Sequence, residues 1–314
     1  MTTPSQPLVS IVVPAYNHAR YLREAIDGIL AQDYPHIELI VLNDGSTDDT
    51  DEVLRSYPSG RFYWETQANM GQSATLNKGW RMSRGEILAY LSADDALRPE
   101  AVSRSVAELH ARPEAVATYC DYELISAEST VLRRVAAPDF DYFAMLERGV
   151  CAPGPGAFFR RTAFEAAGPW NAAYRQMPDY DFWLRMGLYG TLRRIAEPLA
   201  YFRVHEQSQT FAAATVARSE EAIQIIADLY RRSDLSPEVR AAERGAESGA
   251  MLIAAQYHLR AGRYSAGIRF LAAAMRIDPG KICKPGTTRA VGSALFGRLR
   301  YSLEVHRRRG RAVA

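Results

Sequence analysis

The chain has 314 residues, 47% of them apolar and 24% charged, and a formal net charge of +2 at neutral pH. This make-up belongs to a folded globular protein and excludes a disordered one, and the longest dense apolar stretch, Leu8 to Ala15, is too short and too broken by Ser10 and Pro14 to cross a bilayer. No basic stretch leads into an apolar run at the start, so no secretory signal is expected, and Cys120, Cys151 and Cys283 show neither disulfide nor metal-ligand spacing, which fits the reducing cytoplasm.

Residues 8–16, LVSIVVPAY, are apolar and β-branched and predict a buried strand, ended by Pro14 and Asn17. Tyr21, Leu22, Ala25, Ile26, Ile29 and Leu30 recur at helical spacing and predict an amphipathic helix. A second strand is expected over Ile37–Leu42. It leads to a turn at Asn43-Asp44-Gly45 and a helix capped by Ser46 or Thr47, with Asp48 and Asp49 in its first turn. Phe62–Trp64 predicts a third strand, Ser73–Met82 a helix, and Ile87–Leu91 a fourth strand closed by Ser92-Ala93-Asp94-Asp95. Pro99 opens the next helix. Such alternation predicts βαβ units and an α/β fold with a parallel, doubly wound sheet. Ligands bind such sheets beyond the carboxyl ends of the strands. Asn17, Asp44 and the Asp94-Asp95 pair each follow a strand directly.

After residue 115 the alternation loosens. Val116–Leu124 and Val131–Val135 are expected as strands, Gly154–Arg160 as a loop running into a short strand, Asp179–Tyr189 as a helix and Leu199–Val204 as a last strand. From about residue 211 the chain reads as helical and rich in Ala and Arg. The domain boundary is placed near Gln207–Thr215, with a catalytic domain over 1–210 and a helical region over 211–314.

Five segments, SIVVPAYN (10–17), NDGSTDDT (43–50), NMGQSATLNKG (69–79), Asp94-Asp95 and DYDFWLR (179–185), together resemble glycosyltransferase family 2 over roughly residues 8–210. The resemblance implies a GT-A-type, Rossmann-like domain, its mainly parallel sheet flanked by helices. It also implies inverting transfer of a sugar from a nucleotide-sugar donor, with UDP as the nucleotide, to a hydroxyl of a glycan or lipid-linked glycan. No nucleic-acid partner is expected.

Such an enzyme must hold a nucleoside diphosphate, neutralise the departing diphosphate and deprotonate the acceptor. For the first task, Asp44 stands on a strand-end turn before Gly45, and a carboxylate there can accept the N3–H of uracil. The resemblance implies that role, with Pro14, Tyr16 and Asn17 lining the pocket and Asn69, Gly71 and Asn77 joining it; the competing reading is that Asp44 only shapes its turn. For the second, adjacent carboxylates repel unless a cation lies between them, and carboxylate and diphosphate oxygens suit Mn²⁺ or Mg²⁺. The resemblance implies that Asp95 binds the metal while Asp94 reaches the ribose or shares the task. Arg203 and His205 follow the last strand, and the implied role is contact with the diphosphate or the metal, which a neutral imidazole can ligate. For the third, the resemblance makes Asp179 the general base, with Asp181 as rival. Gly154–Gly156 is expected to border the acceptor, and Trp170, Tyr174 and Trp183 to offer a wall for sugar stacking, with core packing the competing role of Trp183.

Three positions depart from the family pattern. Pro178 replaces a Glu before the base, Ser92 an acid, and Leu76 an Arg. They motivate the alternative of a catalytically inactive nucleotide-sugar-binding or scaffold protein. A nucleotidyltransferase would show a Gly-rich, basic loop after the first strand, which PAYNHARYL lacks.

Residues 248–279 resemble one tetratricopeptide-type hairpin, with Gly262 at the turn, Ala274 at the close approach and Pro279 at the end. One such hairpin must pack on something, either neighbouring structure or a docking partner. From Lys281 onward the chain carries a local net charge of +8. Val291, Leu295, Leu299 and Leu303 form one helical stripe there, with Phe296 beside it and arginines following. Two readings stand: peripheral contact with anionic lipid on the inner face of the membrane, or packing on the catalytic domain with the arginines in water.

Overall fold

The computed structural model describes residues 6–205 and 214–282, in two compact units. The first comprises residues 6–140, 151–173 and 178–205, and the second 141–150, 174–177 and 214–282. The helical unit thus includes two short pieces of chain that precede residue 211.

In the first unit the opening apolar run forms β1 (Val9–Ala15), buried along its whole length. In α1 (Ala19–Leu30), Tyr21, Leu22, Ala25, Ile26 and Ile29 are buried, as their spacing requires. β2 (Ile37–Asn43), β3 (Tyr63–Thr66) and β4 (Ile87–Tyr90) extend a parallel set in the order β3-β2-β1-β4, crossed by α2 (Thr50–Arg55) and α3 (Gln72–Met82). A Cβ on Gly79 of α3 would fall 2.4 Å from Val12 Cγ1, so this helix reaches β1 only because residue 79 is glycine.

Beyond β4 the sheet becomes mixed. β8 (Phe158–Arg160) runs antiparallel between β4 and β6 (Ala115–Ile125), and β9 (Thr191–Arg203) runs parallel to β6. β5 (Ala96–Leu97) is antiparallel to β9, and β7 (Val131–Val135) to β6. The full order is β3-β2-β1-β4-β8-β6-β9-β5, with β7 added on β6. α4 (Ala101–Ala111), α6 (Arg161–Ala167) and α7 (Pro178–Met186) complete the unit.

The elements differ from expectation in three ways. β5 and α6 carry no local signal strong enough to announce them. β9 starts at Thr191 rather than Leu199, because pairing with β6 outweighs its polar Arg193 and Arg194. α2 starts at Thr50, later than a cap at Ser46 or Thr47, because those residues are bonded into the turn itself.

Trp80, fully buried, anchors an aromatic cluster with Phe159, Phe164, Trp170 and Phe182 at ring separations of 5.4–6.0 Å. Trp170 and Trp183 are only 4% and 1% exposed, so they are core residues here and not an open sugar wall.

Asp121 ties the second half of the sheet together. Its carboxylate accepts from Arg194 Nε at 2.9 Å and Nη2 at 3.2 Å, from Arg134 Nη2 at 3.2 Å, and from the Ala137 amide at 3.1 Å. Burial pushes this carboxyl up, but those bonds outweigh it and hold the group below its ordinary value. A depressed folded value means that the stabilisation is complete at neutral pH and is lost as pH falls below about 4 and through the folded value. Asp121→Ala should leave the buried Ala137 amide without its acceptor and remove the shared partner of Arg194 and Arg134, lowering stability by about 1–3 kcal/mol at pH 7. Urea denaturation at pH 7 and near pH 3 checks this, and the gap between variant and parent should shrink at the lower pH.

The second unit is helical: α5 (Tyr142–Arg148), α8 (Val216–Ser219), α9 (Glu221–Tyr230), α10 (Pro237–Ala241), α11 (Glu243–Arg260), α12 (Tyr264–Ile277) and α13 (Pro279–Ile282). α11 and α12 form a hairpin that turns at Gly262 (φ 76°), with Ala274 fully buried. α11 also packs on α5 and α9, so the hairpin has helical neighbours. A Cβ on Gly249 would meet the Glu147 carbonyl oxygen at 2.0 Å, which makes glycine the residue of the α11–α5 crossing. Glu221 accepts from the amides of Arg175, Gln176 and Met177 at 2.7–2.9 Å. Tyr174 is buried and donates to Asp228 at 2.6 Å, so it too is absent from any open sugar wall. Among the described residues no helix is long and apolar enough to cross a membrane. The basic tail with its apolar stripe, and most of the expected boundary at Gln207–Thr215, lie outside the described residues.

Candidate active site

β1 and β2 end in register, Ala15 opposite Asn43, and the Asp44 amide donates to the Ala15 carbonyl at 2.8 Å. The two following turns therefore lie side by side. Asn17 adopts a left-handed φ of 56°, and its side-chain oxygen accepts from the Thr47 amide at 2.8 Å. Its own amide donates to Ser46 Oγ at 2.9 Å. Asp48 accepts from the Ala19 amide at 3.0 Å and from Thr50 Oγ1 at 2.5 Å, joining the start of α1 to that of α2. Pro14 is buried beneath these turns, while Tyr16 is 47% exposed at their edge.

Asp44 is 2% exposed, and both its oxygens are engaged. They accept from Gln67 Nε2 at 2.8 Å, the Met70 amide at 2.9 Å and the Gly71 amide at 2.8 Å. The carboxylate thereby folds the 67–71 loop back over the β2 turn. Gly45, with φ 75°, permits this: a Cβ there would fall 2.9 Å from the Asn69 amide nitrogen. Asn69 itself is exposed, and Gly71 opens α3.

Asn77 does not face this crevice with free polar atoms. Its Nδ2 donates to the Trp170 carbonyl at 2.7 Å and its Oδ1 accepts from the Trp170 amide at 2.9 Å. The side chain forms a two-point clamp on the Trp170 backbone. Leu76 is fully buried in α3.

The paired aspartates separate in role. β5 pairs Ala96 with Tyr201 and Leu97 with Ala200, and continuing that register sets Asp94-Asp95 beside the end of β9. Asp95 is 5% exposed and accepts from the Arg203 amide at 2.9 Å. Burial, then the neighbouring Asp94 charge, push its carboxyl well above the usual range. Asp94 points the other way: its Oδ2 lies 2.9 Å from His205 Nε2 and 3.8 Å from His18 Nε2. The ligand atoms of His18, Asp94 and His205 lie within 4.8 Å of one another, and Asp95 is outside this group. Two imidazoles and a carboxylate fit a divalent ion.

Arg203 is 1% exposed, and its guanidinium donates to the Asp94 carbonyl at 2.7 Å, Ser129 Oγ at 2.8 Å and Glu24 at 2.6 Å. It lies 4.7 Å from the Tyr21 ring centroid. In this arrangement the arginine holds the aspartate loop in place.

Asp179 occupies the first turn of α7, and Asp181 two residues later is paired with Arg185 at 2.6 Å. Arg185 also donates to the carbonyls of Gly168 and Pro169 at 3.0 and 2.9 Å, which fixes the approach to α7. The Tyr90 phenol is pushed well up by burial and then by the charges of Asp179, Cys151 and Asp95. Asp179 and Asp95 are therefore both within electrostatic reach of one tyrosine at the end of β4. Gly154, expected beside the acceptor, has the Tyr122 ring 3.1 Å from where its Cβ would lie.

His18 and Gln67 were not singled out by sequence reasoning. His18 carried one usable signal, its position directly after the β1 turn; Gln67 carried none.

The fold and strand-end crevice are those of a GT-A-type glycosyltransferase domain. The structure resembles Staphylococcus aureus TarS residues 1–349 in complex with UDP-GlcNAc (TM-score 0.64, 16% identity, 96% of this chain and 92% of that one). It also resembles the mannosyltransferase PcManGT from Pyrobaculum calidifontis in complex with GDP-Man and Mn²⁺ (TM-score 0.57, 20% identity, 93% and 85%). An uncharacterized glycosyltransferase of Rickettsia typhi is 33% identical over 226 residues, 69% of this chain and 70% of its own. The model of glycosyl transferase family 2 matches residues 10–168, and the chain belongs to that family.

Proposed function

We propose that the chain transfers a sugar, with inversion, from a nucleoside diphosphate sugar to a hydroxyl of a glycan or lipid-linked glycan, using a divalent metal and UDP as the nucleotide. The observation that carries this reading is the grouping of Asp94, His205 and His18 beside the Asp44 turn in a family 2 chain. The complexes of the two structural neighbours, one with UDP-GlcNAc and one with GDP-Man and Mn²⁺, support a nucleotide-sugar donor and a divalent ion.

In this reading the turns after β1 and β2 receive the nucleoside, with Pro14, Tyr16, Asn17, Asn69 and Gly71 around it. Asp44 contributes by shaping the pocket that the base enters. Asp94 and His205 hold the ion, with Asp95 locking the loop behind them through Arg203. A bound ion supplies positive charge to the departing diphosphate. Asp179 takes the acceptor proton as the acceptor oxygen bonds to the anomeric carbon. The bond from that carbon to the phosphate oxygen breaks, and its electron pair leaves with the diphosphate. A single displacement with one base inverts the anomeric centre. Neither Ser92 nor Pro178 removes a group that these steps use.

A thermal-shift screen of nucleotide sugars with and without Mn²⁺ tests the donor reading. A donor at about a hundred times its Kd adds about 2.7 kcal/mol of stability, so Tm should rise by several degrees only with donor and ion together. No shift with any nucleotide sugar would overturn the reading. Binding with no turnover would favour the inactive scaffold.

A further inference from the structure

We propose that His18 is a metal ligand, completing with Asp94 and His205 a site of two imidazoles and one carboxylate that prefers Mn²⁺ to Mg²⁺. The inference rests on the divalent-ion reading above and extends it to the ligand set and the choice of ion.

His18 stands at the N-terminal end of α1, just after the left-handed Asn17 that turns the chain out of β1. This is a helix-cap position, yet its side chain makes no capping bond. The ring instead faces the end of β4, its Nε2 3.8 Å from Asp94 Oδ2. That distance is too long for a hydrogen bond. It suits two ligands of one ion, since atoms bound about 2.1 Å from a common centre stand about 3–4 Å apart. His205 approaches the same carboxylate oxygen at 2.9 Å, and the two imidazoles meet edge-on with centroids 5.7 Å apart.

The rest of the site is braced. Arg203 holds the Asp94 carbonyl at 2.7 Å and lies over the Tyr21 ring, which packs against His205 with centroids 5.1 Å apart. One packed unit thus fixes both Asp94 and His205. His18, with 26% of its side chain exposed, lies at the rim of that unit.

Mg²⁺ favours oxygen ligands in near-ideal octahedra and gives up water reluctantly, whereas first-row transition ions accept imidazole nitrogen. Mn²⁺, though the weakest imidazole binder of its row, takes nitrogen more readily than Mg²⁺ does, so a second imidazole tilts the site toward Mn²⁺. Three protein ligands also leave coordination positions open for diphosphate oxygens.

The test uses the full chain with Mn²⁺ alone, without nucleotide or acceptor. An EPR titration should find one Mn²⁺ bound per chain, displaced poorly by Mg²⁺, and pulsed EPR should resolve two coupled nitrogens. His18→Gln should bind Mn²⁺ about 10- to 100-fold more weakly, the range that supporting residues alone produce, and should show one nitrogen. His18→Asp should keep a bound ion, lose one nitrogen, and shift the preference toward Mg²⁺. Thermal melts of the ion-free variants confirm that each is folded. Unchanged affinity and two nitrogens in His18→Gln, or no Mn²⁺ on the parent chain, would overturn the proposal. Donor turnover by the parent chain is assayed separately, so loss of the ligand assignment and loss of the transferase reading give different results.

Discussion

Asp179→Asn is expected to lower kcat for sugar transfer by about 10²- to 10⁴-fold, the usual contribution of a positioned general base, while leaving donor affinity within about twofold. The amide preserves shape at the first turn of α7 but cannot take a proton. Because the loss falls on the chemical step and not on binding, it should appear in kcat with little change in the donor KM. Asp181 provides the contrast. Its carboxylate is already paired with Arg185, whose other bonds anchor the approach to α7. Asp181→Asn should therefore lower stability more than activity per folded molecule. A folded, inactive Asp181→Asn beside an active Asp179→Asn would reverse the assignment.

Removing divalent ions should weaken UDP binding by about a hundredfold or more, corresponding to the several kcal/mol that an ion contributes at a phosphate oxygen. Asp94 presents its carboxylate at the site, and Asp95 is buried directly behind it. Arg203 is committed to Asp94, Ser129 and Glu24. A diphosphate entering here without a cation would meet like charge. Calorimetry with UDP before and after EDTA treatment checks this, and Mn²⁺ should restore binding. UDP affinity that survives chelation would contradict the metal reading. Asp94→Ala should reproduce the EDTA result, since it removes the oxygen that both imidazoles face.

What the sequence revealed follows from how local each feature is. β1, β2 and β4 announce themselves as short apolar runs, and the turns after them carry Asn17, Asp44 and Asp94 whatever the rest of the chain does. The α11–α12 hairpin is equally local, set by Gly262 and Ala274. β5 exists only because two residues pair with β9, and no local pattern encodes a partner that arrives a hundred residues later. The same register brings Arg203 back to Asp94, a contact that no local pattern announces. From the sequence it follows a strand end like any other ligand; only the pairing shows it reaching back to Asp94 and Glu24. The clamp that Asn77 makes is hidden for a similar reason, because its partner is the backbone of Trp170, which the sequence places far away. His18 joins the site through three separate chain segments, and no spacing rule connects them.

In the proposed function this crevice activates a nucleotide sugar with the help of a divalent ion. The most direct test of that reading is release of nucleoside diphosphate from a panel of UDP- and GDP-sugars, with Mn²⁺, with Mg²⁺ and with EDTA, for the parent chain and Asp179→Asn. Release is expected from at least one UDP-sugar with Mn²⁺, less with Mg²⁺, none with EDTA, and strongly reduced release by Asp179→Asn. Release that continues undiminished in EDTA, or no release from any donor under conditions where the donor binds, would contradict it.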